Sequence, residues 1–219
     1  MWSSEVTNMI ITGIWETLYM TLVSTLVGYV IGLPMGIILT VSDKDGIKPN
    51  AVLYKILDVI ANIVRSVPFI ILLVLLIPFT RLVVGKSYGS TATIVPLVIA
   101  AAPYIARMVE SSLKEVDAGV IEAARSMGAS NFTIITKVML VEARTSLLVG
   151  ATITLGTILG YSAMSGAVGG GGLGAIAIRY GYTRWQTDIM IVTVILLIIL
   201  FQIFKTVGMK LADKPRSEE

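Results

Sequence analysis

Two stretches of this chain, residues 17–42 and 145–178, contain no charged residue at all. At about 1.5 Å of rise per residue, the first of them as a helix already outreaches the ~30 Å hydrocarbon core of a bilayer, with length to spare for tilt. In lipid such a run must satisfy its own backbone, which makes it a helix here. Composition agrees. Of 219 residues 55% are hydrophobic and 14% charged, against about a quarter charged in soluble domains, and the mean hydropathy is +0.86. The expected fold class is therefore all-α, a polytopic membrane protein with one transmembrane domain over residues 1–219. The chain has no room for a nucleotide-binding domain beside its spans. Five spans are predicted, at about 17–41, 57–78, 91–112, 145–165 and 188–206.

The absence of cysteine and histidine removes disulfides, thiolate nucleophiles, the usual zinc ligands and imidazole acid–base chemistry together. Without histidine no serine finds an activating partner at helical spacing, so no catalytic residue is assigned, and no metal site. Gly85, Lys86 and Ser87 resemble the tail of a phosphate loop, but Thr80 stands where its first glycine belongs. The net charge of +3 comes from scattered basic residues, which argues against nucleic-acid binding.

In the first span Ser24, Gly28, Gly32 and Gly36 recur every four residues, a ridge that lets another helix approach closely, inside the chain or across a dimer seam. Residues 43–50 read as a turn. The second span is expected to start near Ala51 at the interface, enter the membrane around Val59 and end at Pro78. Asp58, Asn62 and Arg65 share one face of it. That face is either the polar lining of a path or an arrangement in which Arg65 snorkels to headgroups and Asp58 meets water. The third span contains Pro96 and Pro103. It is expected to continue past the bilayer, because Arg107, Glu110 and Lys114 are spaced for ion pairs along a helix. The glycine-rich run 165–174 is too poor a helix former to face lipid. It suits either an outer gate, with Ser162 and Met164 at its edge and Met164 as a soft apolar plug, or a mobile outer loop.

Residues 1–12 lack the Lys and Arg of a signal-peptide n-region. Orientation follows from the basic residues near span ends. Lys44, Lys48, Lys55, Lys114, Arg125, Lys137, Arg144, Lys205, Lys210, Lys214 and Arg216 fall on one side, and only Arg81, Lys86, Arg179 and Arg184 on the other. By the positive-inside rule the first side is cytoplasmic, with the N-terminus outside and the C-terminus inside.

This places the polar interval 117–144 in the cytoplasm. Asp117 can cap a short helix and Gly128 can close it in the left-handed conformation. Val120, Ala124 and Met127 make an apolar stripe, and Glu122 and Arg125 are spaced to pair on another side. So short a helix needs a partner surface. Its alanines do not suit lipid, where interfacial helices use Trp, Phe and Leu. Ser130 can cap a following helix over 131–143, with Phe132, Ile135 and Met139 on one stripe.

Glu122, Ala123, Ala124, Gly128, Val138 and Leu140 resemble the signature loop of permease subunits of ATP-binding-cassette importers, with Val141 where that family usually carries proline. The similarity extends over about residues 13–206. Arg65 to Leu73, Ile105 to Glu110 and Gly160 to Met164 with the glycines after it resemble the methionine-uptake branch. The resemblance implies a type I importer with two copies of this five-span subunit, two ABC ATPase subunits that bind ATP and Mg, and an extracytoplasmic substrate-binding lipoprotein, all in the cell membrane. This chain itself would hold no cofactor. The resemblance also implies that Val120, Ile121, Glu122, Ala123, Ala124, Arg125, Met127, Gly128 and Ala129 form the helix that couples to the ATPase. Small residues would permit close docking, Glu122 and Arg125 would fix orientation, and Val120 and Met127 would fill a cleft. Methionine, L or D, is the expected cargo. Another amino acid or a small peptide is the first alternative, and a secondary transporter or channel working alone the second. Few ionisable groups in the spans and no internal repeat speak against the last.

Overall fold

The computed structural model describes residues 4–213, so Lys214 and Arg216 of the orientation argument lie outside the described residues. Every regular element among them is helical. In chain order these are α1 (Ser4–Ser42), α2 (Ala51–Ser66), α3 (Phe69–Leu75), α4 (Ile77–Val84), α5 (Ser90–Lys114) and α6 (Ala118–Ser126). Next comes α7 (Asn131–Thr133), a π turn (Ile134–Met139) and α8 (Leu140–Glu142), then α9 (Arg144–Ser165), a 3-10 turn (Gly166–Val168), α10 (Gly172–Ile176), a second π turn (Ala177–Tyr182) and α11 (Thr187–Ala212). Four stretches, Ser4–Ser42, Ser90–Lys114, Arg144–Tyr182 and Thr187–Ala212, are long and apolar enough to cross a membrane; α2 with α3 makes a fifth if that bent pair is one span.

The bundle is built around α5, whose Leu97, Ala101, Ile105 and Ala106 are fully buried. Its main partner is α1, and the small-residue ridge is what lets the two meet. A Cβ on Gly32 would stand 2.5 Å from the Ala102 carbonyl oxygen, and one on Gly36 2.6 Å from that of Ala106. The ridge therefore packs inside the chain, backbone against backbone. The helix of α5 runs through both Pro96 and Pro103.

The second span is not the continuous helix expected from sequence. It breaks after Ser66, and α2 and α3 meet at 102°. Val67 is extended at φ −84° and ψ 124°, because a residue before proline is forced out of the helical region, and Pro68 then opens α3. The glycine run is a packed segment rather than a loose loop. Gly172, Leu173 and Gly174 are buried, and a Cβ on Gly174 would lie 2.1 Å from the Ala163 carbonyl oxygen. Glu16 and Thr17 of α1 hold its turn, accepting hydrogen bonds from the Gly172 and Leu173 amides at 2.7 and 2.9 Å.

From Asn131 the chain stays helical through Val141, consistent with a residue that keeps the amide a proline would lack. The π turn at Ile134–Met139 shifts the register of the expected stripe. Ile134 and Met139 are buried, whereas Phe132 is 75% exposed.

Candidate functional site

The short helix α6 is closed at both ends by its own sequence. The Asp117 carboxylate accepts from the Gly119 amide at 2.7 Å. At the other end Gly128 takes φ +80°, the Ala129 amide donates to the Ala124 carbonyl at 3.1 Å, and the Gly128 amide donates to that of Arg125 at 3.0 Å. This pair of bonds is the Schellman motif. A helix of nine residues would be marginal alone. It is held because Ala124, 5% exposed, joins the main core with Ile134 and Met139, and Ile121 packs beside them.

Burial of Ala124 splits the expected stripe. Ala124 and Ile121 face the chain, whereas Val120 and Met127 are exposed, Met127 by 82%. Glu122, Ala123, Arg125, Ser126 and Gly128 are exposed too. The outward side thus carries small residues between two exposed apolar ones, Val120 and Met127. Arg125 does not reach for Glu122. Its guanidinium donates to the Ile47 carbonyl at 3.0 Å, which ties α6 to the loop between α1 and α2. Between that loop and α6 lies a cleft of about 490 Å³, lined among others by Asp43, Ile47, Lys114, Ile121, Glu122 and Arg125.

From the same loop a chain of charges runs up the bundle. Lys114 donates to Asp43 at 2.7 Å and to Glu110 at 2.9 Å. Glu110, buried to 5% exposure, also meets the Arg107 guanidinium at 2.6 Å and accepts from the Tyr54 hydroxyl at 3.3 Å. Arg107 pairs in turn with Asp58 and donates to the Asn62 side chain at 3.0 Å. Each ion thus has a partner, which a buried charge requires. The hydrogen bond from Lys114 holds the Asp43 carboxyl below the usual carboxylate range, against the opposing effect of burial.

The structure divides the expected polar face of the second span. Asp58 and Asn62 are gathered by Arg107, while Arg65 goes elsewhere, its guanidinium 6.0 Å from the Tyr104 ring. The i, i+4 spacing put Asp58 and Asn62 together, and the pairs along α5 were legible for the same reason. The link between the two helices through Arg107 left no signal in either segment alone. Ser162 is buried and donates to the Leu159 carbonyl of its own helix at 2.8 Å. Met164 is 53% exposed. Among the described residues no group of three or more Asp or Glu side chains is placed to hold a metal ion.

These features can be set beside known proteins. The chain is 49% identical over 207 residues to a probable D-methionine transport system permease protein MetI of Vibrio cholerae, covering 94% of this chain and 92% of that one. It is 51% identical over 158 residues to the D-methionine transport system permease protein MetI of Escherichia coli K12, covering 72% and 73%. Among solved structures it superposes on a chain of an inward-facing MetNI methionine ABC transporter with a TM-score of 0.95 at 50% identity, covering 96% of this chain and 98% of the other. An amino acid ABC transporter crystallised with histidines shares the fold, with a TM-score of 0.79 at 21% identity over 96% of each chain. Residues 28–213 match the family described as binding-protein-dependent transport system inner membrane component, and this chain belongs to that family.

Proposed function

We propose that this chain is the permease subunit of an ATP-driven importer that carries methionine across the cytoplasmic membrane by alternating access. Two copies would work with two ATPase subunits below and a substrate-binding lipoprotein above. ATP and Mg would be bound by the ATPase alone. The N-terminus would face outward and the C-terminus the cytoplasm. The observation that carries this reading is α6, a helix capped at both ends by its own chain, anchored by Ala124, and presenting Glu122, Ala123, Ser126 and Met127 to the outside. The cargo is inferred from relatives about half identical to this chain that are named for methionine transport.

The mechanism follows from what α6 is tied to. ATP draws the two ATPase subunits together, and a capped, anchored helix docked on them moves as a rigid body rather than deforming. Arg125 passes the displacement to the loop at Ile47. Asp43 passes it to Lys114 at the end of α5, and Glu110 and Arg107 carry it to Asp58 on α2. The break at Val67 and Pro68 gives the second span a hinge there, and the bundle rocks between inward-open and outward-open. Reversing a 1:99 population takes about 5.5 kcal/mol of differential binding, which closure of an ATPase dimer must supply. On this reading Asp58 and Asn62 serve transmission, Ser162 serves packing, and Met164 is the apolar plug of the outer gate.

Proteoliposomes containing the permease with its ATPase and binding lipoprotein test the proposal. Uptake of radiolabelled methionine should require ATP and all three components. Flux through the permease alone would instead support a stand-alone transporter, and ATP-driven uptake of other amino acids or peptides without methionine would overturn the cargo.

A further inference from the structure

The end of the bundle where α9 passes into α10 is knotted through one carboxylate. Glu16 of α1 accepts from the Gly172 amide at 2.7 Å, and the Ser90 hydroxyl at the start of α5 lies 3.5 Å from its other oxygen. Thr17 beside it accepts from the Leu173 amide at 2.9 Å. The turn held in this way is tied on its other side as well, where the Gly89 amide donates to the Gly169 carbonyl at 2.8 Å and the Gly170 amide to that of Ser165 at 2.9 Å. It is also tight, because a Cβ on Gly171 would stand 2.7 Å from a Glu16 carboxylate oxygen and 3.0 Å from the Ser90 Cβ. Asp43, Asp58 and Glu110 are each met by a lysine or arginine, but among the described residues no ion pair includes Glu16. Its charge is answered by an amide and a hydroxyl, so it clasps α1, α5 and the turn together, and its charge-assisted bond is the strongest of those that close this end.

One turn further along α1 the seam is weak. Thr17, Thr40, Thr93, Thr152, Thr154 and Thr193 each donate their hydroxyl to the carbonyl four residues earlier, the usual way for a hydroxyl inside a helix to find a partner. Thr21, Ser24 and Thr25 do not. They are 0%, 0% and 7% exposed, and their hydroxyls have no hydrogen-bond partner. At i, i+3 and i+4 they share one face of α1, and Ser24 continues the ridge whose Gly28 meets Ala101 of α5. A buried hydroxyl left without a partner is costly, and it regains its bonds when water reaches it. The two halves of the seam between α1 and α5 therefore pull in different directions. From Gly28 onward the glycines let the backbones meet, and toward Glu16 the stranded hydroxyls favour parting.

We propose that this end of the bundle is a latch, with Glu16 as the positioning residue that holds it shut against the three stranded hydroxyls, and that it opens when the bond from the Gly172 amide to Glu16 breaks. The inference rests on the transport reading above and names the contact that opposes opening on one side. In that reading opening at this end accompanies closure of the ATPase dimer. Weakening the clasp therefore raises ATP hydrolysis in the absence of the binding lipoprotein, and replacing the hydroxyls by apolar groups lowers it. The two changes bias one equilibrium in opposite directions, which residues that merely support the fold would not do.

The test uses the permease–ATPase complex in detergent, without binding lipoprotein, and reads steady-state ATP hydrolysis together with hydrogen exchange over residues 169–173. Glu16→Ala should raise hydrolysis about tenfold, the size of one lost charge-assisted hydrogen bond, and should speed exchange over that turn. Glu16→Gln, whose side-chain oxygen still accepts from the Gly172 amide, should stay within about threefold of the wild type. Thr21→Val combined with Thr25→Val should lower hydrolysis about threefold or more and raise the melting temperature, because apolar groups of the same shape leave nothing stranded. Elution volume checks assembly of each complex, and the valine pair decides alone if Glu16→Ala does not assemble. An assembled Glu16→Ala complex that hydrolyses ATP no faster than the wild type would overturn the latch, and so would a valine pair that hydrolyses it faster or melts lower. In either case ATP-driven methionine uptake by the wild type leaves the transport reading standing. If both variants move hydrolysis as expected while the wild type with its binding lipoprotein imports no methionine, the latch stands and the methionine reading falls.

Discussion

Two surfaces of this protein are built from small residues, the ridge on α1 and the outer side of α6, and they differ in what covers them. On α1, Gly28, Gly32 and Gly36 lie so close to α5 that an added Cβ would meet backbone or branched side chains within 3 Å. On α6, Gly128 has nothing within 4 Å of where a Cβ would stand, and Glu122, Ala123 and Ser126 are exposed beside it. The same chemistry is thus satisfied within the chain in one place and left without a covering element in the other. On the proposed reading, this low surface on a capped, core-anchored helix is where the ATPase docks. Small residues alone do not reveal which case holds, and the neighbours decide.

The difference can be broken from either side. Replacing Gly36 by leucine should have the largest effect, because the atoms it meets are the Ala106 carbonyl and Val109 and backbone cannot give way. A loss of about 3 kcal/mol or more is expected, at the upper end for overpacking, seen as loss of monodisperse protein on extraction. Gly128→Trp should leave the fold largely intact, with about 1 kcal/mol for a side chain at positive φ. It should nevertheless cut co-purification of the ATPase at least about tenfold. If ATPase association and membrane insertion both stay normal while uptake is lost, the docking role of α6 is wrong. Arg125→Ala removes the bond to Ile47 and should cost only about 1 kcal/mol, while faster hydrogen exchange appears in the 43–50 loop.

The smallest effect is one of pH. Asp43 has its folded pKa lowered by the hydrogen bond from Lys114, so the stability it contributes is present above its unfolded value and is lost as pH falls through the folded one. Thermal melting should therefore be indifferent to this tether between pH 5 and 8 and should lose its contribution only below about pH 4. Asp43→Asn should remove that acid-side step.

What could be read from sequence was what is local. Asp117, Gly128 and Ser130 act within two to five residues of themselves, and the pairs among Arg107, Glu110 and Lys114 lie on consecutive turns. The break at Val67 carries a local signal as well, the proline that follows it, but the apolar run through Leu73 favours one continuous helix and masks it. The contact of Glu16 with the Gly172 amide joins residues far apart in the chain, and no pattern in either segment announces it. Of the expected stripe Met139 stays in the core and Phe132 does not, because the wider π turn at Ile134–Met139 offsets the residue before it from the face that Met139 keeps.

The proposed function makes α6 a cytoplasmic docking surface whose outer side the ATPase alone covers. The chain has no native cysteine, so single cysteines report cleanly. Ser126→Cys, on the exposed side, should react with a membrane-impermeant maleimide only from the cytoplasmic face and become protected when the ATPase is bound, while Ala124→Cys stays unreactive in both states. Labelling of Ser126→Cys from the outside, or at a rate unchanged by the ATPase, would contradict the account.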